Sequence, residues 1–306
     1  APTVVCFFDS EANKSLDLAF NGKRTHDRKK WIADWRDVAQ TEDVISFDIK
    51  DFFKVGDDKL RKGQNITQFI NRELISYSVS ALYRAIPSYY DGLKESQRKA
   101  LFGTMTYKKY ATGKKTTVKV DLLSNNVSSI TQYHHGSASL CGTIIRMALN
   151  YVGSNNMNPF IPDGKFGSRS NPELVASPRY ISTGLEWWVP LVYKKESLNL
   201  IQRRMVDGEE GEPLWLPGVI NMGVVNGFKG VATGFSTSCE PHHPIETIDW
   251  HRTKLEGQTP KPITPWYNGF GGDIKIELKK GSPTKKEEEI EFDEGDDDDN
   301  DYIGRD

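Results

Sequence analysis

The chain has 306 residues, enough for one large domain or two to three ordinary ones with substantial cores. Its 37% hydrophobic content and mean hydropathy of −0.56 come without an apolar run of about 18 residues, and Ala1–Phe8 lacks a basic start, so neither a membrane span nor a signal peptide is read. The net charge of −2 conceals an asymmetry: residues 285–306 hold twelve acids and three bases, leaving 37 bases against 30 acids in 1–284, a basic body compatible with a polyanionic partner.

The opening apolar run reads as a buried strand, followed by the polar Asp9–Asn13. A helix is expected from Asp27, with Trp31, Ile32, Trp35 and Val38 on its apolar face. Residues 54–65, polar and with two glycines, read as a linker. Asn65 or Thr67 then caps a helix whose apolar side carries Ile66, Phe69, Ile70, Leu74 and Tyr77. Ile86-Pro87 ends it, because proline disfavours the helical conformation in the residue before it, and Asp91-Gly92 signals a turn. Helices follow over Lys94–Met105, Val118–Ile130 and Ser137–Val152. Strand-like segments near 180–193 and 214–225 complete an α+β pattern, a helix-turn-helix with a β wing. Residues 279–301, with their Glu and Asp runs, are expected to be solvated and disordered. Cys6, Cys141 and Cys239 are odd in number and far apart, which argues for a reducing compartment and against a disulfide framework or a zinc site.

Four clusters carry chemistry. In the first, Arg84, Lys94, Arg98 and Lys99 flank the Asp91-Gly92 turn and enter a helix. That placement suits phosphate contacts, which position a protein on DNA without reading its sequence; a solvated helix face is the plain alternative. The second, Tyr133-His134-His135-Gly136-Ser137, stands at a helix start. Adjacent histidines point about 100° apart on a helix, a poor geometry for one metal. A helix start offers amide N–H groups to an anion, with His135 as donor or proton carrier, or else it simply packs.

The third cluster runs from Asp163-Gly164-Lys165-Phe166-Gly167-Ser168-Arg169 to Ser177-Pro178-Arg179-Tyr180. A phenol with an ordinary pKa of about 10 is a poor nucleophile at neutral pH. A neighbouring guanidinium lowers the cost of the phenolate and can hold a phosphate oxygen. Tyrosine bonded to phosphate is a stored link, through which an enzyme can cut a DNA strand and reseal it. Taken alone, an Arg-Tyr pair is commonly a packing accident. The fourth cluster, Asn226–Gly234, has glycines that permit close backbone approach, and it lacks the GxxxxGK[ST] pattern of an ATP-binding loop.

In this order the clusters resemble the breakage-reunion region of type IIA DNA topoisomerases, with eukaryotic and viral topoisomerase II as the nearest branch. Arg84-x-Ile-Pro-x-x-x-Asp-Gly-Leu-Lys94 resembles the start of that family's winged-helix domain, Tyr133-His-His-Gly its histidine helix, and Ser177-Pro-Arg-Tyr180 its nucleophile segment. Lys229–Gly234 resembles its DNA-bending loop, Asp27–Trp31 the exit from its TOPRIM domain, and Trp266–Gly272 the beginning of its tower domain. The likeness covers residues 7–275.

The resemblance implies roles. Tyr180 attacks the scissile phosphate and becomes linked to the 5′ end; Arg179, Arg84 and His135 surround that phosphate, and Lys94 supports phosphate or metal nearby. Arg28, Lys29, Lys94, Arg98, Lys99, Tyr133, His134 and Ser139 touch DNA, and Val231 is the wedge that kinks it. The implied domains are 1–30 (end of TOPRIM), 31–65 (connecting helix and linker), 66–240 (winged-helix breakage-reunion domain) and 241–306 (start of the tower, with an acidic insertion or tail near 279–300). Implied partners are double-stranded DNA, a second copy of the chain, and ATPase, TOPRIM and C-gate regions in the same polypeptide or a partner chain. Mg²⁺ is expected on TOPRIM ligands outside this chain, with no metal ligand in it, and ATP in the full enzyme. The implied location is the nucleus, or a virion or viral factory.

Departures from the family pattern are Ser137 where Glu is usual, Val231 for isoleucine, and Asn171–Val175 for a Gly-Lys-Asp segment. The only Asp-x-Asp lies in the acidic run 296–301, so the chain is expected to be a fragment or a subunit completed by another. Two competing readings are a non-catalytic winged-helix DNA-binding module and a structural dimerisation partner. Tyrosine recombinases are set aside because His134-His135 is not followed by the required arginine.

Overall fold

The computed structural model describes residues 5–39, 52–54, 60–107, 117–206 and 208–275, so the acidic run expected to be disordered lies outside the described residues. The chain divides into two units, Ala1–Gly272 and Asp273–Asp306, and the elements below belong to the first.

Near the N-terminus, β1 (Val5–Phe7) is followed by α1 (Ala12–Phe20), α2 (Thr25–Ala39), β2 (Phe52–Lys54) and β3 (Leu60–Asn65). β3 pairs parallel with β1 and antiparallel with β2. Residues 60–65, expected as linker, are therefore a central strand, its pairing on both sides outweighing a weak local β preference. α1 is also unforeseen. The polar residues before it are a docking point: Asp9 accepts hydrogen bonds from Glu11 N–H, Thr67 N–H and Thr67 Oγ1. α2 buries Ile32 as expected, and Trp31 donates to Asn71 Oδ1.

Asn65 caps the next helix in a reciprocal capping box with Gln68. The helix runs as α3 (Ile66–Gln68), a π-helical stretch Phe69–Leu74, and α4 (Ile75–Ala85). The wide π turn moves the buried stripe. Ile70 and Ile75 are buried together, whereas Phe69 and Tyr77, expected on the apolar side, are exposed.

Helices α5 (Glu95–Thr106), α6 (Val120–Thr131) and α7 (Ser137–Ala148) pack on one another. Leu101, Phe102, Leu123, Val127, Leu140 and Ile144 form the centre of the core, closed by Phe160, Val189 and Leu216. α7 stops short of the expected Val152 because Asn155 Nδ2 donates to the carbonyls of Arg146 and Leu149 at its end.

The remaining strands are short two-stranded ladders: β4 (Val118–Lys119) with β7 (Ser182–Thr183), β5 (Phe166–Ser168) with β6 (Asn171–Val175), β8 (Arg203–Val206) with β9 (Glu209–Pro213), and β10 (Phe228–Ala232) with β11 (Phe235–Cys239). Of the strands expected over 180–193 and 214–225 only β7 forms. Short helices α8 (Val189–Val192), α9 (Lys195–Leu198) and α10 (Met222–Asn226) occupy this part of the chain instead. A short apolar run serves a buried helix as well as a strand, and Val189, Val192, Met222 and Val225 are all buried. A final helix, α11, spans Pro244–Leu255. Three packed helices with flanking hairpins make the α+β winged-helix class expected.

Candidate functional site

Tyr180 is 70% exposed. Its N–H donates to Ser177 O at 2.8 Å, closing a turn between β6 and β7. That turn is fastened to the start of α6: Val120 N–H donates to Ile181 O at 3.1 Å and Asp121 N–H to Pro178 O at 3.3 Å. The first amides of a helix have no intrahelical acceptor, so the backbone around Tyr180 serves as the cap of α6. Ser182 and Asp163 exchange two further backbone bonds, at 2.8 and 3.1 Å. Lys119 Nζ donates to Tyr180 O at 2.9 Å. Nothing local in the sequence marks Lys119, whose partner lies far along the chain. The phenol itself makes no hydrogen bond within the described residues, and Arg179 Cζ lies 6.0 Å from its ring centroid.

The other residues assigned to chemistry make contacts of their own. Arg84, in the last turn of α4, donates from Nε to Ser80 O and sits 6.0 Å from the Tyr77 ring. Lys94 precedes α5, its N–H bonded to Gln97 Oε1 at 2.9 Å. His135 is exposed just before α7 and meets Tyr133 edge-on at 5.2 Å. Among the described residues none of the three has a hydrogen bond or ring contact with Tyr180.

Of the residues assigned to DNA, Lys29, His134, Ser139 and Val231 are exposed, and Tyr133 is buried with its hydroxyl donating to Ser139 Oγ. Three of the cations expected at phosphates turn inward and bond to protein groups. Arg28 donates to Leu18 O, Asn21 O and Thr25 Oγ1. Arg98 grips both oxygens of Asp91, at 2.7 and 3.0 Å, and Leu93 O. Lys99 donates to Glu212 at 2.7 Å and to Thr131 O at 2.6 Å. A charge withdrawn from water must be paired or hydrogen-bonded: Asp91 and Glu212 pair Arg98 and Lys99, and carbonyl and hydroxyl oxygens take Arg28. Asp91 also accepts from Leu93 N–H and Leu216 N–H, so the Arg98 pair holds the loop that carries Lys94.

Val231 rides on the β10–β11 hairpin and is 66% exposed. Gly230 lets that hairpin lie across the end of α4, since a β-carbon there would come 2.7 Å from both Ala85 O and Pro87 Cδ. Strand alternation puts Lys229 and Val231 on the opposite face from Gly230.

The family model for the A-type subunit of DNA gyrase/topoisomerase IV matches residues 84–297, well over half of the chain, and takes in Arg84, Tyr180 and Val231. The chain belongs to this family. It is 36% identical over 281 residues to DNA topoisomerase 2 of Arabidopsis thaliana, a match covering 90% of the chain and 17% of that protein. With DNA topoisomerase 2 of Acanthamoeba polyphaga mimivirus the identity is 35% over 262 residues, covering 85% of the chain and 19% of the relative. The fold is that of the Plasmodium falciparum topoisomerase II DNA-binding, cleavage and re-ligation domain, with a TM-score of 0.70, 30% identity, and coverage of 90% of this chain and 35% of that one. The chain thus spans less than a fifth of the length of these curated relatives. In this member of the gyrase/topoisomerase IV family, the described residues include no group of three His, Cys, Asp or Glu side chains able to hold a metal.

Proposed function

We propose that this chain is the DNA-cleaving part of a type II DNA topoisomerase that breaks and reseals duplex DNA through Tyr180. The observation that carries the reading is the turn at Tyr180, whose backbone is fastened to α6 while its phenol stands exposed beside Arg179. Tyr180 Oη gives up its proton as it attacks the scissile phosphorus, the bond from phosphorus to the 3′ oxygen breaks, and the leaving oxygen takes up a proton to become the 3′ hydroxyl. A 5′-phosphotyrosyl bond remains. Attack by the 3′ hydroxyl reverses each change, so no bond energy is lost between cleavage and resealing. Arg179 is aimed at the charge that develops on the phosphate oxygens, with Arg84, His135 and Lys94 closing around it once DNA is bound. One tyrosine cuts one strand, so two copies of the chain act on a duplex.

The family as a whole is metal-dependent and ATP-using. Here the Mg²⁺ ligands and the ATP site lie on TOPRIM and ATPase regions other than this chain. Residues 1–30, 31–65, 66–240 and 241–306 act as the end of TOPRIM, a connector, the DNA gate and the start of the tower. A nuclear or viral setting is the one in keeping with the eukaryotic and viral relatives.

The test is to incubate the full polypeptide with end-labelled duplex DNA and MgCl₂, then to denature it. A 5′-linked adduct that Tyr180→Phe abolishes, with the melting temperature unchanged, is expected. A wild-type protein that forms no adduct, or an adduct that survives Tyr180→Phe, overturns the reading.

A further inference from the structure

A cavity of about 750 Å³ lies between α4, the loop that follows it, β9 and β11. Its volume falls in the range of small-molecule sites, about 300–1,000 Å³. The wall is mainly apolar and gathers four rings from four stretches of chain: Tyr83, Tyr90, Trp215 and Phe235. Tyr90 and Trp215 are stacked, with centroids 5.0 Å apart and planes at 25°, so flat rings already lie side by side here.

The charges in the wall are already matched. Arg98 pairs with Asp91, Arg204 with Glu95 and Glu212 with Lys99. An added anion would meet Glu212 and an added cation the two arginines, so an uncharged ligand enters at the least cost. One acceptor remains. Lys99 takes Oε2 of Glu212, whereas Oε1 makes no hydrogen bond among the described residues, although the side chain is only 1% exposed. A buried carboxylate oxygen without a donor is costly, and a ligand that brings one removes that cost.

We propose that this cavity binds a flat, uncharged nitrogen heterocycle that stacks on the Tyr90–Trp215 rings and donates an N–H to Glu212 Oε1. Stacked walls, matched charges and a single open acceptor together set that class. Neither Arg179 nor Tyr180 lines the cavity, so the site is independent of the DNA-gate reading.

The probe is 5-fluorobenzimidazole in its uncharged form, titrated into the full polypeptide and followed through its fluorine NMR signal. Its comparator is 5-fluorobenzoxazole, of the same shape with a ring oxygen in place of the N–H. The benzimidazole is expected to bind about tenfold more tightly, the effect of one hydrogen bond to a buried carboxylate, and to raise the melting temperature as its concentration increases. Trp215→Leu and Tyr90→Leu should each weaken it about fivefold. Trp187→Leu, which removes an exposed ring outside the cavity, should leave binding as it is. The two-probe comparison needs no variant, so it decides even where a substitution unfolds the chain. Equal affinity for the two probes overturns the contact with Glu212. Wild-type affinity in a folded Trp215→Leu places the probe elsewhere and overturns the site, as does a wild type that binds no probe at about 1 mM.

Discussion

Lys99→Met separates a scaffolding cation from a DNA-binding one. The Lys99 and Glu212 side chains are 2% and 1% exposed and meet at 2.7 Å. The substitution keeps most of the side-chain volume but strands the Glu212 carboxylate in the interior and leaves Thr131 O without the Nζ donor. Removing one partner of a buried ion pair costs about 3–5 kcal/mol, and an orphaned buried carbonyl alone costs about 1–3. We therefore expect a loss of about 4 kcal/mol, close to three powers of ten in the folding constant. Adding Glu212→Leu removes the stranded charge and should recover at least half of that loss, leaving the unsatisfied carbonyl and some repacking. Urea denaturation measures both values, with m unchanged if the transition stays two-state. The same variants go through a salt titration of duplex binding at a temperature where they are folded, and the slope should stay at the wild-type value. Lys99→Met losing less than about 1 kcal/mol while its salt slope drops by about 0.9 would place Lys99 at the DNA and refute the burial argument.

Val231→Ala should change stability by less than about 0.5 kcal/mol, because the side chain is exposed, yet reduce duplex bending read by energy transfer; a bend equal to wild type rules out the wedge. Asn156→Ala should cost at least about 2 kcal/mol in urea, since Asn156 Nδ2 donates to the carbonyls of Val225, His242 and Trp266 and its Oδ1 accepts from Asn268 N–H; a loss below about 1 would show that water replaces the amide. The hydrogen bond to Glu240, with burial, pushes the Tyr267 phenol from 10 up to about 12. A pKa raised in the folded state contributes stability below pH 10 that is lost as pH rises through about 12, so Tyr267→Phe should flatten the melting-temperature profile across that window, and superimposable profiles contradict the assignment.

The three core helices are legible because several local signals agree on them. Apolar spacing sets their faces, Ile86-Pro87 and Asp91-Gly92 mark the break before α5, and Asn65 announces the helix before that. What stays hidden depends on partners remote in sequence or on hydrogen-bond pattern. The π turn at Phe69–Leu74 changes which residues are inside without changing composition, so Ile75 enters the core and Tyr77 leaves it. β3 is a strand only because β1 and β2 flank it. Arg98 and Lys99 look like surface bases until their acceptors are known, and Glu212 lies 113 residues away from Lys99. Charge is written in the sequence, but depth is not. The roles proposed for Tyr180 and Val231 rest on the ordered motifs alone, since both are exposed residues of the kind that packing arguments cannot single out.

The same accounting of hydrogen bonds constrains how the site can stabilise an anion. A helix start is a ready phosphate binder only while its first amides are free. At α6 the amides of Val120 and Asp121 are committed to the carbonyls of Ile181 and Pro178, on either side of Tyr180. They hold Tyr180 in place and are not available to a phosphate. In the proposed cleavage, charge on the phosphate then falls to side chains, and among the described residues Arg179 stands beside the phenol. The proposed reversible reaction would gain from this division: backbone bonds would keep the tyrosine, and the broken end attached to it, from drifting between cutting and resealing, while side-chain cations approach and withdraw with the DNA. The buried Arg28, Arg98 and Lys99 lend rigidity to that frame without adding to the field at the surface, so the salt dependence of binding should reflect far fewer cations than the 37 bases of residues 1–284.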